Sequence, residues 1–124
     1  MTIEEVYAEI GGDYAAMLKR VGLPAMVSRF ACMFLTDTSC QVFFEAWESG
    51  DDEAIFKAAH TVKGMCGNLG FTSMQELASE ICEAYRPGQE QLRAETDTGA
   101  LMDEFRAAHA KATEVISAFK AEQG

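Results

Sequence analysis

Proline, histidine and basic charge are all scarce in this chain. Only two prolines occur in 124 residues, and hydrophobic residues make up 48%, so the composition is globular rather than disordered. No apolar run approaches the ~20 residues a membrane span needs. The opening "MTIEEVYAEI" lacks the basic n-region and apolar h-region of a secretory signal. The cytoplasm is the expected location. Basic residues number 10 against 20 acidic ones, a net charge of −10, which argues against nucleic acid or an anionic membrane as partner. Any positive charge the protein uses must therefore be local. The four cysteines, Cys32, Cys40, Cys66 and Cys82, show neither CxxC nor zinc-finger spacing and read as reduced, mostly buried thiols.

Strand signals are missing too, and nearly every segment reads as helix. Thr2 with Glu5 forms a capping box for a short helix that ends at Gly11–Gly12. Asp13 caps a second short helix, which Gly22 stops. Pro24 suits the first turn of a long helix reaching about Trp47, although "TDTS" (36–39) is a polar interruption within it. Asp51 or Asp52 caps a helix from about Glu53 to Gly67 or just beyond. Ser73 with Glu76 forms another capping box, opening a helix that "RPG" (86–88) ends. After a polar, poorly periodic stretch, a last helix runs from about Asp97 to Ala121. Its seam is Leu101, Phe105, Ala108, Ala112, Val115 and Phe119. The expected fold is all-α, a single domain over 1–124. An antiparallel, up-down-up-down four-helix bundle spans 23–121, with two short N-terminal helices in 1–22 packed on it. Nothing marks an oligomer seam, so a monomer is expected, and Met1 with the early capping box favours a free-standing protein.

One of the two histidines sits in "AHTVKGMCGN" (59–68), where two glycines interrupt a helix at ~1 kcal/mol each relative to alanine. On a wheel of about 100° per residue, Ile55, Ala58, Ala59, Val62, Met65, Cys66 and Leu69 fall on the half opposite His60. That half faces the core, so His60 faces solvent. Gly64 and Gly67 fall within ~40° of it, Lys63 lies one turn along, and Phe56 and Lys57 flank it one turn back. A neutral imidazole is nucleophilic near pH 7 and can carry a transferred group. Lys63 is placed to make a charge-assisted bond to a phosphoryl there. The bare stripe at Gly64 and Gly67, with Phe56 and Lys57, suits docking by another protein's backbone. For Gly67 a helix C-cap is an equally good reading.

The segment "AAHTVKGMCGNLGF" resembles the signature of histidine-containing phosphotransfer (HPt) domains: His-x-x-Lys-Gly, small residues, then a Gly before the next helix. Flanking segments are also similar to the family, from about residue 24 to 88. The resemblance implies a phosphorelay intermediate in which His60 accepts phosphoryl from a receiver-domain aspartate and passes it to another receiver. Lys63 would neutralise phosphoryl charge, while Gly64, Gly67, Phe56 and Lys57 would form the docking surface. The implied partners are receiver domains of response regulators and hybrid histidine kinases. Those receivers would supply the acidic pocket and Mg²⁺, so this chain needs no cofactor and acts as a carrier rather than an enzyme.

Twenty-two residues after His60, where the family often has Glu or Gln beside the imidazole, this chain has Cys82. Glu83 falls on a different face by the wheel. Ser79 or Arg86, on the stripe of Cys82, are the candidates to take over. The altered position leaves open a second reading, an HPt-like module that docks receivers without carrying phosphoryl. A metal-binding bundle using His60, His109 and cysteines is a third. Cys66, the cysteine near His60 on the helix, faces the core, so no metal is expected.

Overall fold

The N-terminal segments fold as their caps dictate. In the computed structural model, which describes residues 1–123, α1 spans Ile3–Ile10 and carries both halves of the Thr2–Glu5 capping box. Asp13 accepts from the Ala16 amide at 2.9 Å and opens α2, Tyr14–Val21. Gly22, in the left-handed region at φ 88°, closes it. Six more helices follow among the described residues: α3 (Pro24–Met33), α4 (Ser39–Ser49), α5 (Asp52–Leu69), α6 (Thr72–Ala84), α7 (Glu90–Glu95) and α8 (Thr98–Gln123). The fold is all-α, as expected. Short turns join α4 to α5 and α5 to α6, and the packing pairs α4 with α5, α5 with α6, and α6 with α8. That is the antiparallel arrangement of a helical bundle. α1 packs on α8 and α2 on α3.

Three expectations are corrected. The long helix from Pro24 to Trp47 is two helices. The amides of Phe34, Leu35 and Thr36 bond to carbonyls three residues back, which tightens and ends α3. The Asp37 carboxylate then accepts from the Ser39 amide at 2.7 Å, and this side-chain bond competes with helix continuation. Ser73 does not cap α6, whose N-cap is Phe71 without a side-chain bond. Both the amide and the hydroxyl of Ser73 instead donate to the Gly11 carbonyl, the hydroxyl at 3.0 Å. Finally, the polar stretch before α8 contains the short helix α7.

One apolar cluster joins the helices. From α5 it takes Ile55, Ala58, Ala59, Val62, Cys66 and Leu69, with Met65 at its edge. From α8 it takes Met102, Phe105, Ala112, Ile116 and Phe119, while Leu101, Ala108 and Val115 of the expected seam are half-buried. Tyr7, Phe34, Phe43 and Phe71 fill the middle with edge-to-face ring contacts. Four free cysteines are present; Cys40, Cys66 and Cys82 are buried and Cys32 partly so. Burial pushes the Cys40 thiol up to about 12, which keeps it protonated and unreactive. Among the described residues no helix is long and apolar enough to cross a membrane.

The candidate phosphoryl-carrier site on α5

α5 begins where Asp51 accepts from the amides of Glu53 and Ala54, and ends at Gly70, in the left-handed region at φ 74°. Gly67 is therefore inside the helix and not its C-cap. With the core half of α5 turned inward, His60 is exposed and Lys63 half-buried one turn along. Gly64 is bare: a Cβ built there meets nothing within 4 Å. Gly67 differs, since a Cβ there would lie 2.8 Å from Nε2 of Gln75, a side chain of α6. The smooth floor beside His60 thus belongs to Gly64, while Gly67 makes room for this chain's own glutamine.

The two flanks of His60 have different chemistry. Toward α2 and α3 runs an open groove of about 950 Å³, lined by His60 and Gly64 together with Met17, Val21, Phe30, Met33 and Met65. Met33 is 54% exposed, a large apolar side chain free to be covered. Toward α6 lies the polar flank. The Phe56 ring centroid is 6.4 Å from that of His60, and the Arg86 guanidinium sits 5.1 Å from the Phe56 centroid. Arg86 is held by Glu83 through two bonds, Nε to Oε2 at 2.9 Å and Nη2 to Oε1 at 2.8 Å. Lys57 is paired with Glu53 at 2.9 Å. Among the described residues Lys63 has no ion-pair partner.

The α6 residues sort differently from the wheel. Cys82 is fully buried, and burial pushes its thiol up; it presents no polar group to the imidazole. Ser79 is half-buried on α6. Glu83 lies on a different face from Cys82, as expected, and is the acidic group near Lys63 and His60. The Arg86 bonds hold its carboxyl below the usual range, and the charges of Lys63 and His60 lower it further. Its opposite-charge partner three residues on was the available signal in the sequence. The α2–α3 groove was not legible, because it depends on how non-adjacent helices pack. His109 lies elsewhere, half-buried against the rings of Phe34 and Phe44. No cluster of three or more His, Cys, Asp or Glu suited to a metal ion occurs among the described residues.

Fold and site together define a helical bundle that displays one histidine one turn from an unpaired lysine and beside the bare surface at Gly64. Residues 36–114 match the model of the Hpt domain, and the chain belongs to that family. The match begins after α3, so α1, α2 and α3 lie outside it. Comparison with curated proteins and with solved structures finds no match. Hpt domains are histidine phosphocarriers of phosphorelays, not catalysts, and they interact with receiver domains.

Proposed function

We propose that His60 is the phospho-acceptor of a two-component relay, taking phosphoryl from a receiver aspartate and giving it to another receiver. The observation that carries this reading is the exposed imidazole beside Gly64, where nothing of this chain obstructs an approaching partner. In the neutral ring with its proton on Nδ1, the Nε2 lone pair attacks phosphorus. The N–P bond forms as the bond from phosphorus to the aspartyl oxygen breaks, and the carboxylate leaves with the bonding pair. The ring becomes a cation and no proton moves. Such transfer depends mainly on positioning and charge neutralisation. Lys63 supplies an unpaired ammonium for the phosphoryl oxygens, and Mg²⁺ belongs to the receiver's acidic pocket.

The receiver seats its loops over Gly64 and covers the apolar groove between α5 and α2–α3. Phe56 and Lys57 extend the contact on the other side. The same reading places the protein in the cytoplasm, as a monomer that alternates between receivers of response regulators and of hybrid histidine kinases.

The test is incubation with phosphorylated receivers. Label that is acid-labile and base-stable is expected on the wild type and absent from His60→Gln. Lys63→Ala should still take label but transfer it roughly 10-fold more slowly, the rate equivalent of one charge-assisted bond. Binding of receivers with no label at any of them would leave a docking module and end the carrier reading.

A further inference from the structure

We infer that Glu83 is a positioning residue of the phosphoryl site: it fixes Arg86 against Phe56, so that a second cation stands ready beside Lys63. This rests on the carrier reading above and adds to it a residue of α6. A phosphoryl group brings close to two negative charges, and Lys63 offsets one of them. Lys57 is paired with Glu53 and Arg86 with Glu83, so what the pair on α6 adds is oriented N–H donors rather than net charge.

Arg86 is the remaining cation on this flank, and its geometry is constrained from two directions. Nε and Nη2 donate to the two carboxylate oxygens of Glu83, and the guanidinium carbon lies over the Phe56 ring, 5.1 Å from its centroid. A guanidinium has five N–H donors, so the edge turned to Glu83 leaves the Nη1 donors for an incoming oxyanion. An arginine on a solvated helix end otherwise samples many rotamers, and a fork-to-fork carboxylate contact removes most of that freedom before the ligand arrives. Phe56 touches both Arg86 and His60; it therefore relates the position of the cation to that of the reacting ring. Glu83 lies near enough to His60 and Lys63 for each to act on its carboxyl. The next residue back, Cys82, is turned into the core, so Glu83 is the polar contribution of this turn of α6 to the site.

A double-mutant cycle tests this. Single-turnover transfer from a saturating phosphorylated receiver is measured for wild type, Glu83→Gln, Arg86→Gln and the double variant, with melting recorded for each. Both side chains are about two-fifths exposed, at 44% and 40%, so melting should hardly change. Glu83→Gln is expected to slow transfer about 3- to 10-fold, Arg86→Gln at least as much, and the double variant no more than Arg86→Gln alone. Glu83→Asp, which keeps the charge on a shorter arm, should recover part of the loss. An unchanged or faster rate in Glu83→Gln overturns the inference, since the carboxylate would then be idle or merely repel the phosphoryl. Equal slowing by Glu83→Gln with and without Arg86 also overturns it, because Glu83 would then act independently. Label persisting in His60→Gln would instead defeat the carrier reading itself, a separate result.

Discussion

The side-chain amide of Gln75 occupies the space beside Gly67, where a Cβ would come within 2.8 Å of its nitrogen, whereas beside Gly64 there is nothing within 4 Å. Two glycines three residues apart on one helix thus serve different ends. One accommodates an internal neighbour, and the other leaves a surface open.

Substitution should separate them. Gly64→Ala is expected to raise the stability of the free protein by about 0.5–1 kcal/mol, through helix propensity alone. Gly64→Gln should keep the fold and the helical circular dichroism, yet slow transfer from a receiver by 10-fold or more (~1.4 kcal/mol). Gly67→Ala meets only the flexible end of Gln75 and should leave transfer within about 3-fold of wild type. Loss of folding in Gly64→Gln would mean that this face is not free.

His109 gives stability a dependence on pH. Its ring packs against Phe34 and Phe44 at centroid distances of 5.4 and 5.2 Å, and burial lowers its affinity for protons below the usual histidine value. The unfolded chain therefore takes up the proton first as pH falls. The stabilising effect of the neutral buried ring is complete above the unfolded value of ~6.5, and it is lost as pH drops through the lower folded value. Urea midpoints measured between pH 7.5 and 5.5 should decline for the wild type and decline less for His109→Gln. Equal slopes would show that the ring is not desolvated.

Tyr7 offers a test in which stability and transfer should separate. Its hydroxyl donates to the Leu69 carbonyl at 2.6 Å in a buried setting, and burial pushes the phenol well above its ordinary value. Tyr7→Phe removes the donor and leaves a buried carbonyl unpaired. A loss of about 1–3 kcal/mol in denaturant unfolding is expected, with single-turnover transfer from a receiver unchanged at temperatures where both proteins are folded. No change in stability would mean that water replaces the hydroxyl.

Much of this could be read along the chain, because local chemistry decided it. Thr2 and Glu5, Asp13, Gly22 and Asp51 each act on their own helix end, and the apolar stripe of α5 sets the direction of His60 by period alone. The errors arose where a distant group intervened or a local side chain competed with the helix. Ser73 has the spacing of a cap but is taken by the carbonyl of Gly11, 62 residues away at the end of α1. Asp37 breaks a run of apolar residues that otherwise keeps helical spacing. Glu83 does lie on a different face from Cys82, as the wheel has it; the error lay in aiming the Cys82 face at the imidazole, when that residue is buried in the core. The groove wall from α2 and α3 required knowing which helices meet, and periodicity carries no such information.

The corner between α5 and α6 is held from outside the family segment. Asp13 donates its amide to the Gly70 carbonyl, Arg20 reaches the Asn68 carbonyl at 2.8 Å, and a Cβ on Gly12 would collide with the Tyr7 ring and the Gly70 oxygen. A fragment cut to residues 36–114 would therefore end its histidine-bearing rod in loose carbonyls, with Phe71 uncovered. For this chain the packed unit is longer than the stretch by which it is classified. The first twenty residues are thereby tied to a helix corner some fifty to sixty positions further on.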